Sequence, residues 1–138
     1  MTHGKLAKLF LIGAVVGLVA ACGNGNSIAA EPATSITVGA SEFAFDPSNV
    51  AVAAGQDVTV TLNNSGSIEH EWVILRAGTS ISSEAEFDES QVLFNLPVAA
   101  GESVSDSFNL AAAEYQIICA IDGHFAAGMK GTLVAGSG

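Results

Sequence analysis

The sequence predicts an antiparallel β-sandwich of seven to eight short strands, and three observations carry that expectation. Val58, Val60 and Leu62 alternate with Asp57, Thr59, Thr61 and Asn63, the period of two that marks a half-buried strand. Shorter runs of the same texture recur along the chain, separated by turn-forming residues. Beyond the N-terminal segment no apolar stripe persists at the 3.6-residue helical spacing.

The first element is a targeting segment over residues 1–21. Lys5 and Lys8 form a positive start, and Leu9 to Ala21 is a charge-free run of 13 residues. A bilayer-spanning helix needs about 20 residues, so the run suits an export signal instead. It ends in Leu18-Val19-Ala20-Ala21-Cys22, which resembles the bacterial lipobox, where small residues precede a Cys that is lipidated. An ordinary signal peptide with Ala-x-Ala-like cleavage and a chance Cys is the alternative. The position of Cys22 directly after the apolar run favours the lipobox. Residues 22–34, rich in Gly, Asn, Ser and Ala, then read as a flexible tether with an r.m.s. span of roughly 20 Å.

The domain is expected over residues 35–138. Ile36 and Val38, Phe43 and Phe45, and Val50 and Val52 continue the alternation. Gly39, Asp46-Pro47, Ala54-Gly55 and Ser65-Gly66 punctuate it as turns. His70, Trp72 and Ile74 share one face of a strand; Tyr115, Ile117 and Cys119 share a face of a later one. Thr132 to Ala135 is a short final strand. Val104 to Leu110 is less regular, because Asp106 interrupts its apolar face. Residues 77–91 are mostly polar and hold Glu84, Glu86, Asp88 and Glu89, which suits a long loop or one short helix.

Composition narrows the function. The 138 residues include 14 Asp+Glu against 4 Lys+Arg, a formal net charge of -10. So few bases cannot build an electropositive track, which excludes a nucleic-acid binder. Removing residues 1–21 would leave Arg76 and Lys130 against the same 14 acids. With Cys22 lipidated, Cys119 would be the one remaining thiol of an exported chain, and is expected to be buried, reactive or metal-bound.

The chemistry concentrates near the C-terminus. Cys119, His124 and Met129 stand five residues apart in one strand–loop segment, and Glu69-His70-Glu71-Trp72 opens a strand upstream. Two imidazoles, a thiolate and a weak axial thioether are the donor set of a blue-copper site. Thiolate and thioether favour Cu(I), while imidazole accepts both oxidation states. Zinc could use one Cys and two His, but a thioether is a poor zinc ligand. A Cys–His catalytic dyad leaves His70 and Met129 together without a role. Taken singly, each residue suits a core position; their order and spacing on this β pattern favour copper.

Most of residues 35–135 resembles the cupredoxins, the blue type 1 copper proteins of the plastocyanin, azurin, auracyanin and halocyanin type. Phe45-Asp-Pro-Ser-Asn-Val-Ala-Val-Ala-Ala-Gly is similar to their early strand–turn, His70-Glu-Trp-Val to their first-ligand strand, and Gly128-Met-Lys-Gly-Thr-Leu to their ending. The C-x4-H-x4-M spacing looks most like auracyanin-type members. The resemblance implies a Greek-key β-sandwich, one type 1 copper ion, and His70, Cys119, His124 and Met129 as its ligands. Three positions depart from the family. Glu71 stands where Asn often braces the Cys loop, Ala120 where Ser or Thr is frequent, and Ala113-Glu114 where Pro-Gly or Ala-Gly is common. These bear on the hydrogen bonds around the ligands rather than on the ligands themselves.

The function expected is a lipid-anchored, extracytoplasmic electron carrier, in the periplasm or at the cell surface. It would act as a monomer, without enzymatic activity, between redox partners such as cytochromes or membrane electron-transfer complexes. Phe125, Ala126 and Ala127 flank His124 and are expected to form an apolar docking patch. The acids of 84–89 suit a solvated loop or the steering of a basic partner. The main alternative is a periplasmic copper carrier or buffer on the same fold.

Overall fold

The computed structural model describes residues 32–136. The signal segment, Cys22 and the tether as far as residue 31 lie outside the described residues. Backbone pairing begins slightly before Ser35: Ala33 bridges to Val52, and the Thr34 carbonyl accepts from the Thr59 amide at 2.9 Å.

Nine strands form among the described residues, one more than the upper expectation: β1 (Ser35–Ser41), β2 (Ala44–Asp46), β3 (Asn49–Ala53), β4 (Asp57–Asn64), β5 (His70–Leu75), β6 (Val92–Val98), β7 (Ser103–Asn109), β8 (Ala113–Ile118) and β9 (Lys130–Gly136). They build a four-stranded sheet in the order β2-β1-β4-β7 and a five-stranded sheet in the order β3-β9-β8-β5-β6. The sandwich is not purely antiparallel, because β1 pairs with β4 and β3 with β9 in parallel. A parallel neighbour requires the chain to leave the sheet and return from the other end, and the sandwich provides that route through its second sheet.

The strand absent from the expectation is β6. Its sequence, Val-Leu-Phe-Asn-Leu-Pro-Val, lacks a clean alternation and contains Pro97. Pro cannot donate to a ladder and is confined to edges; β6 pairs only with β5 and is an edge. The same argument accommodates Asp106, which is exposed on the edge strand β7. Phe43 was expected in a strand with Phe45. It lies instead in the turn between β1 and β2 and is 38% exposed.

The main core lies between the sheets. Val58, Val60 and Leu62 of β4 face Trp72 and Ile74 of β5, with Tyr115, Ile117 and Leu133 completing the layer. Trp72, Phe94 and Phe108 pack edge-on or tilted, with centroids 5.3 to 6.2 Å apart. The Tyr115 hydroxyl donates to the Ala111 carbonyl at 2.8 Å, which meets the hydrogen-bonding need of a buried phenol.

A second apolar cluster sits on the outer face of the five-stranded sheet. Val73, Leu75 and Ile118 pack there against Ile81 and Phe125, with Phe87 at its margin. Segment 77–91, whose composition suits a long loop or one short helix, forms single 3-10 turns at Glu84–Glu86 and Glu89–Gln91. It covers this face, and the Gln116 side chain pins it by bonding both the amide and the carbonyl of Ile81 at 2.7 and 3.0 Å. β5 is therefore buried on both faces from Trp72 to Leu75, and His70 opens that doubly packed strand.

Candidate metal centre

The sheet fixes the ends of the site before any ligand is considered. His70 is the first residue of β5 and pairs with Val98. Cys119 directly follows β8, and Met129 directly precedes β9. Because β8 and β9 are hydrogen-bonded neighbours, Cys119 and Met129 are held side by side. The Cys119 amide donates to the Met129 carbonyl at 3.0 Å, which closes the loop at its base.

The loop folds on itself. The His124 amide donates to the Ile121 carbonyl, and the Met129 amide donates to the His124 carbonyl, both at 3.0 Å. The Ala127 amide reaches the Gly123 carbonyl at 3.0 Å and the Gly128 amide reaches the Phe125 carbonyl at 2.9 Å. Gly128 has φ +108, a conformation that side chains rarely adopt. That turn lets Met129 re-enter the core while His124 stays at the end of the sandwich.

The ligand atoms converge. His70 Nδ1 lies 3.2 Å from His124 Nδ1, and Cys119 Sγ lies 3.3 Å from His124 Nδ1. Ligand atoms of the three residues all fall within 4.8 Å of one another, and all three residues are buried. Met129 is fully buried in the core cluster that also holds Cys119. His70 Nε2 is buried with no hydrogen-bond partner among the described residues. A buried polar atom without a partner is costly, and the one hydrogen-bonding neighbour of the His70 ring is the other imidazole, through Nδ1, so no ordinary structural hydrogen bond to the fold accounts for this buried histidine among the described residues. The donor set fits copper: two imidazoles and one sulfur in a closed group, with no carboxylate among the three converging residues, and Met129 buried in the same core cluster as Cys119.

Burial favours the uncharged forms of His70 and Cys119. Burial, with the facing His124, holds the His70 imidazole below the usual histidine range, which preserves the neutral ligating form. Burial pushes the Cys119 thiol up, opposed by the backbone amide of Glu71, which donates to its sulfur at 3.4 Å. Copper binding must therefore release the thiol proton.

Two supporting residues were not singled out from the sequence. Asn64, buried at the end of β4, donates to the Ile68 carbonyl at 2.7 Å and to the carbonyls of Val98 and Ala99 at 3.3 and 3.2 Å. Its side-chain oxygen accepts from the Gly66 amide at 2.8 Å. Asn64 thus ties the turn before His70 to the strand end opposite it. The legible signal was an Asn directly before Ser65-Gly66, a side chain suited to closing a turn on its own backbone. Glu42, the second, accepts from the amides of Ser67 and Ile68 at 2.6 and 3.2 Å. Glu71 braces the sulfur through its backbone amide, and burial raises its carboxyl above the usual range.

The expected docking patch needs one correction. Phe125 is only 3% exposed, because its ring is a member of the outer-face cluster with Ile81, Leu75 and Ile118. Lys130 Nζ stands 4.5 Å from its centroid. Ala126 and Ala127 are exposed, as expected. The exposed aromatic ring beside His124 is Phe43, whose centroid lies 4.9 Å from that of His124 at an interplanar angle of 70°.

Comparison with known proteins agrees with this centre. Residues 32–136 match the family model of copper binding proteins of the plastocyanin/azurin family. Auracyanin-A of Chloroflexus aurantiacus is 30% identical, the match covering 94% of this chain and 96% of that protein. The solved structure of auracyanin A, a "blue" copper protein from that bacterium, superposes with a TM-score of 0.61 at 30% identity, covering 74% of this chain and 98% of the other. The copper-resistant cuproprotein CopI of Rubrivivax gelatinosus is 34% identical over 65% of this chain and 58% of its own length. The chain belongs to the plastocyanin/azurin family of copper binding proteins, and copper is the ion that its buried His–Cys–His–Met centre is built to hold.

Proposed function

We propose that the protein is an extracytoplasmic carrier of single electrons, held at a membrane by lipid on Cys22. Copper held by these residues would supply the one-electron couple, with a reduced partner as donor and an oxidised one as acceptor. The observation that carries the reading is the convergence within 4.8 Å of the ligand atoms of His70, on β5, with those of Cys119 and His124, on a loop locked to two paired strands. Donors that cannot relax between oxidation states keep reorganisation small, which suits electron transfer more than storage. With copper bound, Cys119 would supply the strong bond and the main electronic coupling, Met129 would tune the site from the core side, and His124, 7% exposed, would be the edge through which electrons leave.

Docking is assigned to the His124 end. The exposed ring of Phe43 stands against His124 there, and Ala126 and Ala127, also exposed, follow His124 in the ligand loop. Its partner is a redox protein such as a cytochrome or a membrane electron-transfer complex, met by a monomeric carrier. The tether confines the domain near such partners and raises their effective concentration.

Copper added to the purified mature chain tests the reading. The expected result is one copper per chain, an intense visible thiolate-to-copper band, a reversible voltammetric wave and electron exchange with a cytochrome. A second reading, a copper carrier or buffer, is favoured by the similarity to a copper-resistant cuproprotein. It requires copper binding without a reversible wave. Mass spectrometry of the native protein would show a diacylglycerol-type mass at Cys22; a free N-terminus elsewhere rejects the anchor.

A further inference from the structure

Phe43 and Glu42 are neighbours in the turn between β1 and β2, and each reaches a different histidine-bearing segment. The Glu42 carboxylate accepts from the Ser67 amide at 2.6 Å, the Ser67 hydroxyl at 3.1 Å and the Ile68 amide at 3.2 Å. Successive backbone amides pointing at one anion form a cradle, and this one lies two residues before His70. Gly66 marks how closely the carboxylate sits, because a Cβ there would stand 2.7 Å from both Glu42 oxygens. The next side chain, Phe43, sets its ring against His124 at 70° and 4.9 Å, an edge-to-face arrangement.

We propose that Glu42 and Phe43 form a clasp across the copper end of the sandwich, in which Glu42 holds the segment leading into His70 and Phe43 positions the imidazole of His124. The proposal rests on the copper reading above and extends it. His124 stands on a loop and, unlike His70, has no doubly packed strand beneath it. Its ring faces His70 on one side, with centroids 5.1 Å apart, and Phe43 on another. The Phe43 ring thereby limits both the rotation of the imidazole and the access of water to it. Both clasp residues are exposed, so the sandwich core does not depend on them. Phe43 and Glu42 are positioning residues: neither is a ligand.

Their electrostatic effects are of opposite sign, which makes the clasp testable. Water admitted by Phe43→Ala stabilises the more highly charged oxidised site, so the reduction potential falls. Glu42→Gln removes a negative charge from the same end, so the potential rises. The experiment records four quantities for wild type, Phe43→Ala, Phe43→Tyr and Glu42→Gln. These are copper content with the visible spectrum, reduction potential, the NMR signals of the His124 ring, and hydrogen exchange at the Ser67 and Ile68 amides. Phe43→Ala is expected to broaden or split the His124 signals and lower the potential, and Phe43→Tyr to restore both. Glu42→Gln is expected to raise the potential and speed exchange at Ser67 and Ile68 about tenfold. Unchanged His124 signals and potential in Phe43→Ala, or unchanged amide exchange in Glu42→Gln, would overturn the clasp. Ring and amide signals are also recorded on copper-free protein. A wild-type chain that fails to bind copper therefore rejects the copper reading, while those signals still decide the clasp.

Discussion

Cys119 and Met129 are bonded to each other through their backbones, the amide of the first donating to the carbonyl of the second at 3.0 Å. The first and last ligands of the loop are thus the residues that close it. Their relative placement is inherited from the pairing of β8 with β9 and does not wait for the metal. The site is preorganised at its base, and its outer end is where substitutions should tune it.

Cys119→Ser should abolish the intense visible band of the copper-loaded protein, because an alkoxide or hydroxyl does not reproduce thiolate-to-copper charge transfer. Cys119 is buried and the hydrogen bond from its backbone amide to the Met129 carbonyl does not involve the side chain, so the fold should persist by circular dichroism. A band of equal intensity in the variant rejects Cys119 as the ligand.

Met129→Leu should keep copper and colour while raising the reduction potential. The substitution conserves volume at a fully buried position, so stability should change by less than about 1.5 kcal/mol. Although a thioether is a soft donor, a fourth donor of any kind stabilises the more highly charged Cu(II) more than Cu(I), so removing it disfavours the oxidised ion. An unshifted voltammetric wave would show that Met129 does not act on the metal.

Charge at the 84–89 segment should govern encounter with a cationic partner. The Glu84 carboxylate accepts from the Ala126 amide at 3.1 Å, so the acidic segment borders the ligand loop. Stopped-flow association with a cationic cytochrome should slow as salt rises, since the Debye length falls from about 30 Å at 0.01 M to about 10 Å at 0.1 M. Replacing Glu84, Glu86, Asp88 and Glu89 by their amides should flatten that slope. A slope equal to wild type would reduce the segment to a solvated cover.

Acid stability should respond to Glu42. Its hydrogen bonds from Ser67 and Ile68 hold the carboxyl below its ordinary value of 4.5. A carboxylate depressed on folding contributes stability that is present above the unfolded value and lost as pH falls through the folded one. The wild type should therefore lose stability below pH 4.5 more steeply than Glu42→Gln, and the two curves should run parallel above it. Denaturant titrations across pH 2 to 7, interpreted through that linkage, check this; identical acid limbs would show that the cradle contributes nothing.

Much of the fold and the ligand set was legible for one reason. A sandwich strand advertises its buried face by alternation, as Val58, Val60 and Leu62 do, and soft donors are rare enough in this chain that Cys119, His124 and Met129 stand out by spacing. β6 keeps the alternation, with Val92, Phe94, Leu96 and Val98 on its more buried face, but the apolar Leu93 on the other face blurs it and Pro97, tolerated because β6 is an edge, argues against a strand. Phe125 was misplaced for a related reason. Adjacency to His124 in sequence suggested adjacency at the surface, but a turn sends neighbouring side chains in different directions, and Phe125 points under the 77–91 cover.

The sequence by itself determined the strand texture, the identity of the four donors, and the acidic balance of the chain, because each is a property of residue type and local spacing. Tertiary structure alone decided which ring stands beside His124, what holds the segment before His70, and that two strand pairs run parallel. Glu42 lies 25 residues from Ser67, and Phe43 is farther still from His124. Contacts over such separations leave no periodic mark in the chain; they exist only once the two sheets have packed and brought the turn at Glu42–Phe43 to the same end as the ligand loop.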